Sequence, residues 1–191
     1  SSYPNWNEFA KWYWNLIKKQ HEASPEMIAT VKTLVKDCKT DEEKVRAVYN
    51  WVVTEIAYND NWEFGVHGYK PYNASTIFKR RLGDCKDKSI LINTMLKEVG
   101  ITGYPVLIRM IDDSRRGTED LTLPLVGHFN HCITYIPSIG KDGIYLDGTA
   151  TYSAMDSFPN YDQGARVLIV KPDGGELRTI PYNGPKVDRI K

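Results

Sequence analysis

Apolar residues in the first hundred positions return every three or four residues, the period of helices with one face turned to a core. Between Asn5 and Gln20, Trp6, Phe9, Tyr13, Leu16 and Ile17 form such a stripe. Ser24 before Pro25 is an N-cap followed by proline at the first helical position, and it opens a second helix through Ile28, Val31, Leu34 and Val35. Thr40 with Glu43 three residues later is a capping box, and it starts a third helix carrying Val45, Val48, Tyr49, Val52, Val53 and Ile56. A short helix is predicted over Ala74–Arg80. A strongly helical run follows Gly83-Asp84-Cys85 and continues to Val99, with Gly100 to stop it.

After Gly100 the period changes to that of strands. Thr102–Ile111, Phe129–Ile136 and Ile144–Leu146 read as β, as do Val167–Val170 and Leu177–Ile180, which flank Pro172-Asp173-Gly174-Gly175 as a hairpin. Tyr58–Asn73 has no sustained period and reads as a long loop, of the kind that carries function or packs over something. Asp112–Gly127 reads as a second loop, and its acidic residues Asp112, Asp113, Glu119 and Asp120 as a solvated face. Helices first and an antiparallel sheet second define an α+β fold. No repeat or low-complexity tract divides the 191 residues, so residues 1–191 read as one domain.

Composition narrows the partners. Hydrophobic residues at 41% and charged residues at 26% suit a globular core, and a net charge of +1 offers no attraction to nucleic acid or anionic membrane. No apolar run is long enough for membrane insertion. Five Trp and twelve Tyr fit amphipathic core rims, or a groove for peptide or carbohydrate. Three cysteines, Cys38, Cys85 and Cys132, are an odd count and no disulfide framework. The chain starts at Ser1 without Met or a recognisable signal peptide, as expected of a piece cut from a longer polypeptide or of a mature fragment.

The candidate chemistry begins at Cys85. With Asp84 as N-cap, Cys85 lies in the first helical turn, where unpaired N–H groups and the helix dipole favour a thiolate, and Lys86 and Lys88 add positive charge. Cys85, Ser89, Ile92 and Leu96 share one helical face, which turns the thiol toward the interior. A buried structural cysteine is the plainer alternative. The strands supply partners. A hairpin turning near Ile139 pairs residues whose numbers add to 278, which sets His131 opposite Asp147 on one sheet face. A slip of one residue would separate them; His128 has the opposite parity and fits less well. A carboxylate holding one imidazole nitrogen leaves the other free as a base for a thiol, the Cys-His-Asp arrangement of acyl transfer. The Cys85 N–H is the first natural oxyanion donor, with Trp62, His67 and Tyr69 as unranked candidates for a second. Cys132 alternates to the other face and reads as core packing. A metal held by Cys85, His131 and Asp147, with Cys132, lacks the close ligand pairs of zinc sites, and no cofactor is expected.

Arg81-Leu82-Gly83-Asp84-Cys85-Lys86-Asp87-Lys88-Ser89, the helix ending Glu98-Val99-Gly100-Ile101, Phe129-Asn130-His131, and Tyr145-Leu146-Asp147-Gly148-Thr149 together resemble the bacterial transglutaminase-like core, in the same order and over most of the chain. The resemblance implies a papain-like α+β fold with catalytic Cys85, His131 and Asp147. It implies thiol-dependent hydrolysis or acyl transfer on peptide or isopeptide bonds of a peptide or protein substrate. It also implies a secreted or periplasmic setting and flanking domains in the same polypeptide. Gly148 departs from that branch, which usually has proline after the aspartate. Nothing matches the calcium sites of animal transglutaminases. The superfamily also contains inactive scaffolds, so a non-catalytic module binding protein or glycan is the alternative.

Overall fold

Residues 3–59, 68–110, 120–150 and 162–181 are described by the computed structural model. Five helices come first: α1 (Trp6–Ile17), α2 (Pro25–Val35), α3 (Asp41–Glu55), α4 (Ala74–Arg80) and α5 (Cys85–Lys97). Each begins where local chemistry satisfies its free N–H groups. The Asn5 side chain accepts from Glu8, that of Ser24 from Met27 and that of Asn73 from Ser75. Thr40 and Glu43 form both bonds of the predicted capping box. The final helix stops at Lys97, two residues earlier than the periodicity suggests. Ile101 N–H folds back to the Leu96 carbonyl and Gly100 stands at φ +77°.

A five-stranded antiparallel sheet has the order β5-β4-β3-β6-β7, where β3 is Tyr104–Ile108, β4 His131–Ile136, β5 Ile144–Leu146, β6 Arg166–Lys171 and β7 Gly174–Thr179. The β6–β7 hairpin turns over Pro172-Asp173, as the sequence predicts. Two short strands, β1 (Ala57–Tyr58) and β2 (Leu82–Gly83), pair in parallel and tie the end of α3 to the residues just before Cys85. β1 reaches the first residue of the predicted loop and β2 lies between α4 and α5; two-residue strands have no period to read.

The sheet separates two apolar clusters. The larger holds Phe9, Ile17, Val48, Val52, Leu91, Ile92 and Leu96 of the helices against Leu107, Cys132, Ile136, Leu168 and Val170. The opposite face of the sheet carries Val106, Ile108, Ile133, Tyr135, Val167 and Ile169. Alternation along β4 assigns Cys132 to the helical side, the core role expected of it.

The centre of the packing is α5. Every residue from Asp87 to Leu96 is buried, including Lys88, Ser89, Asn93 and Thr94. The one-face reading of this helix is therefore too narrow: α5 packs on β3 and β4 and is also covered by α2, α3 and α4. Ser89 fastens it to the sheet. Its hydroxyl donates to the Ile133 carbonyl at 2.9 Å and lies 2.9 Å from Thr134 Oγ1. Gly148 lets the chain cross close to α5, because a Cβ there would meet Lys88 Cβ at 3.1 Å and Ile92 Cδ1 at 3.2 Å.

Candidate active site

Asp84 caps α5 and places Cys85 at its first helical position. The cap is reciprocal: the Asp84 side chain accepts from the Asp87 N–H at 3.3 Å, and Asp87 Oδ2 accepts from the Asp84 N–H at 3.1 Å. The other oxygen of Asp87 accepts from the Tyr72 N–H at 2.8 Å, so one buried carboxylate holds two chain segments at the start of α5. Burial and the Asp84 charge both raise the Asp87 carboxyl above its ordinary value. Lys86 pairs with Asp84, so its charge is directed at the cap. Lys88 is only 2% exposed, and its stem lies along Gly148. Burial lowers the Lys88 ammonium, and the Asp147 charge opposes that shift.

His131 opens β4, and Asp147 follows directly on β5. His131 Nε2 lies 2.9 Å from Asp147 Oδ2, with both residues buried. The remaining carboxylate oxygen, Oδ1, accepts from the Thr149 N–H at 2.8 Å and the Thr149 hydroxyl at 2.7 Å. The Tyr49 hydroxyl donates to the Asp147 backbone carbonyl at 3.0 Å. The aspartate is thus held at both oxygens and at its main chain. Its register differs from expectation. The strands pair Thr134 with Leu146, Tyr135 with Tyr145 and Ile136 with Ile144, so partner numbers add to 280 rather than 278. The turn sits one residue later, with Gly140 and Gly143 both at positive φ and the Tyr135 ring 2.5 Å from where a Gly143 Cβ would lie. A shift of two in the sum preserves parity, so His131 and Asp147 remain on one face as diagonal neighbours.

Cys85 lies close enough to His131 to act on the imidazole. Because Asp147 takes Nε2, the thiol is left Nδ1. Burial, the largest influence, would lower His131. Its hydrogen bond to Asp147, its interaction with Cys85 and the charges of both outweigh burial and raise it from 6.5 to about 10. Burial acts to raise Asp147, but the bonds to His131 and Thr149 bring it below the ordinary carboxylate value. The buried thiol of Cys132 is pushed upward, first by burial and then by the Cys85 charge, which keeps it protonated. His128 stands outside this group, edge-on to Trp6 and Phe129.

A raised histidine contributes stability below its unfolded value and loses that contribution as pH climbs through its folded value. In a Cys85→Ala background, the stability gap between His131 and a His131→Gln variant should therefore shrink from about pH 6.5 upward, by at most about 1.4 kcal/mol per pH unit. The gap should level off before pH 10, because the Cys85 contribution is gone. Urea unfolding at fixed pH measures it, and a gap that stays flat from pH 6 to 9 would contradict a protonated His131.

The sequence reading missed Thr149, Tyr49 and Asp162. A threonine two residues after an aspartate is a recognisable turn signal; the other two are distant contacts with no local mark. One donor atom each from His131, Asp147 and Asp162 lies within 4.8 Å of the others. The spacing would suit a metal ion, but the 2.9 Å His131–Asp147 bond already uses the facing lone pairs, so the set fits a charge network better than a metal centre. Of the proposed second oxyanion donors, Trp62 and His67 lie outside the described residues, as do Asp112, Asp113 and Glu119 of the acidic loop. Tyr69 is half-buried against the main core. Near the first turn of α5, a cavity of about 300 Å³ is lined by Tyr72, Ile77, Arg80, Leu82 and Asp87.

Helices over an antiparallel sheet, with a cysteine at the tip of the central helix, define a class. Residues 28–109 match the model of the transglutaminase-like superfamily, and the chain has the transglutaminase-like fold. Cys85 falls within the matched segment, while His131 and Asp147 lie beyond it. A crystal structure of a candidate protease from Parabacteroides distasonis superposes with a TM-score of 0.66 at 16% identity, covering 94% of this chain and 32% of that protein. The chain thus spans about a third of the length of that neighbour. A candidate cysteine protease from Cytophaga hutchinsonii gives a TM-score of 0.45 at 15% identity, covering 68% of this chain and 40% of that one. No curated protein matches the chain.

Proposed function

We propose that this chain is a thiol hydrolase or acyltransferase acting on peptide or isopeptide amide bonds, with Cys85 as nucleophile, His131 as base and acid, and Asp147 as the group that orients His131. The observation that carries this reading is the buried 2.9 Å bond between His131 and Asp147, with Cys85 close enough to raise the imidazole. The Cys85 sulfur, as thiolate, forms a bond to the carbonyl carbon, and the carbonyl π electrons move to oxygen. The Cys85 N–H, at the first position of α5, donates to that oxyanion. As the tetrahedral adduct collapses, the C–N bond breaks and the imidazolium gives its proton to the leaving amine. Neutral His131 then takes a proton from water, whose oxygen attacks the thioester, and the sulfur leaves as thiolate to restore the pair. An amine in place of water would yield a transferred acyl group. The cavity beside Asp87 is suited to a substrate side chain. By the same reading, the chain works in a secreted or periplasmic setting alongside further domains of its polypeptide.

The test is to trap the acyl-enzyme. Incubation with a nitrophenyl ester, acid quenching and mass mapping should find one acyl group on Cys85 and none on Cys38 or Cys132. The Asp147→Asn variant should acylate far more slowly. An unmodified Cys85, together with equal reactivity in Asp147→Asn, would leave a non-catalytic module that binds protein or glycan as the better account.

A further inference from the structure

The acyl-transfer steps leave one buried carboxyl group without a role. Asp162 lies just before β6 and is fully buried. One of its oxygens is within 4.8 Å of a His131 nitrogen and of an Asp147 oxygen. Its backbone is fixed: the Ala165 N–H donates to the Asp162 carbonyl at 3.3 Å, and Gly164 and Ala165 exchange 2.9 Å bonds with Ile180 just after β7. The carboxylate is therefore held in place by the sheet.

Two buried carboxylates this close repel unless a cation lies within reach of both. Groups from four parts of the fold face the imidazole or its carboxylate partner: Cys85 and Lys88 on α5, Tyr49 on α3, Asp147 after β5 and Asp162 before β6. Lys88 is positive and acts through Asp147; the Tyr49 hydroxyl serves the Asp147 main chain. Among the described residues, His131 sets a ring nitrogen within 4.8 Å of an oxygen of each carboxylate, and as imidazolium it supplies that cation. We propose that Asp162 is a second carboxylate of the site, a positioning residue that helps Asp147 to hold His131 as imidazolium beside Cys85. The proposal rests on the Cys85–His131–Asp147 reading and adds a residue to it. Asp162 adds to the Asp147 and Cys85 interactions that oppose the burial of His131, which is only 8% exposed.

The test is an NMR titration of ¹⁵N-histidine in the full chain, with the His131 signal assigned from its loss in His131→Gln. Cys85→Ala is the common background, so the outcome does not depend on catalysis. In Cys85→Ala/Asp162→Asn, His131 should titrate about one pH unit or more below its position in Cys85→Ala, and Asp162→Glu should recover much of the shift. In Cys85→Ala/Asp147→Asn, His131 should still titrate above 6.5, held by Asp162. That second variant keeps Asp162 intact and decides the matter even if Asp162→Asn fails to fold. An unchanged titration in the first variant, or a value below 6.5 in the second, would overturn the role of Asp162 while leaving the triad standing. An ordinary value in the unsubstituted chain would overturn the triad reading itself.

Discussion

The His131→Ala protein should alkylate at Cys85 roughly a hundredfold more slowly than the unchanged chain at pH 6, and the two rates should converge above pH 9. An isolated thiol with an ordinary value near 8.5 is only about 0.3% thiolate at pH 6. A thiol paired with an imidazolium exchanges its proton for the charge of its partner and stays reactive well into acid. His131 is raised to about 10, with the Asp147 bond and the Cys85 interaction overcoming the effect of burial, so the partner keeps its proton throughout that range. Iodoacetamide labelling should be followed by mass on the Cys85 peptide, because Cys38 is also accessible to some degree. Hydrolysis should suffer more than labelling, by about 10³- to 10⁴-fold, since His131 also protonates the leaving amine. If both proteins labelled alike at pH 6, the thiolate–imidazolium pair would have to be abandoned.

The Asp87→Ala substitution should cost about 2–4 kcal/mol of unfolding free energy and reduce Cys85 reactivity with it. The side chain closes the capping box on Asp84 and also accepts the Tyr72 N–H, so its removal leaves donors from two segments without an acceptor. The loss is smaller than two charge-assisted bonds would suggest. Burial raises the Asp87 carboxyl, so its ionised form works against folding from about pH 3.8 upward, and deletion removes that opposing term. Urea denaturation at pH 7 measures the change, and a loss under about 0.5 kcal/mol would mean that the start of α5 is held by something else.

The helix boundaries were legible because their causes are local. Ser24 before Pro25, Thr40 with Glu43, and Asp84 before Cys85 each act within one turn, and each forms the bonds its residue type suggests. The meeting of His131 and Asp147 was legible for a weaker reason. Strand parity survives an error of two in the pairing sum, and the actual error was two. The all-round burial of α5 was not legible. Only the face of Cys85, Ser89, Ile92 and Leu96 read as turned inward, yet Lys88, Asn93 and Thr94 are buried as well, under helices and strands. Ser89 is reconciled by its bonds to β4, which join residues 44 and 45 positions apart. Asp162 also reaches the site from outside its own strand pair, with no periodicity to announce it.

The enclosure of α5 bears on how the molecule comes apart. Amides in an element covered on all sides exchange with solvent only through large openings, whereas short strands at a sheet edge open by themselves. Asp147 extends from β5, the three-residue edge strand, while Cys85 begins the helix at the centre. Small fluctuations would therefore carry the carboxylate away before they disturb the nucleophile. On the Cys85–His131–Asp147 reading, such a chain would lose its chemistry while nearly all of its helical structure persists, so reactivity at Cys85 and resistance to unfolding are set by different parts of the fold.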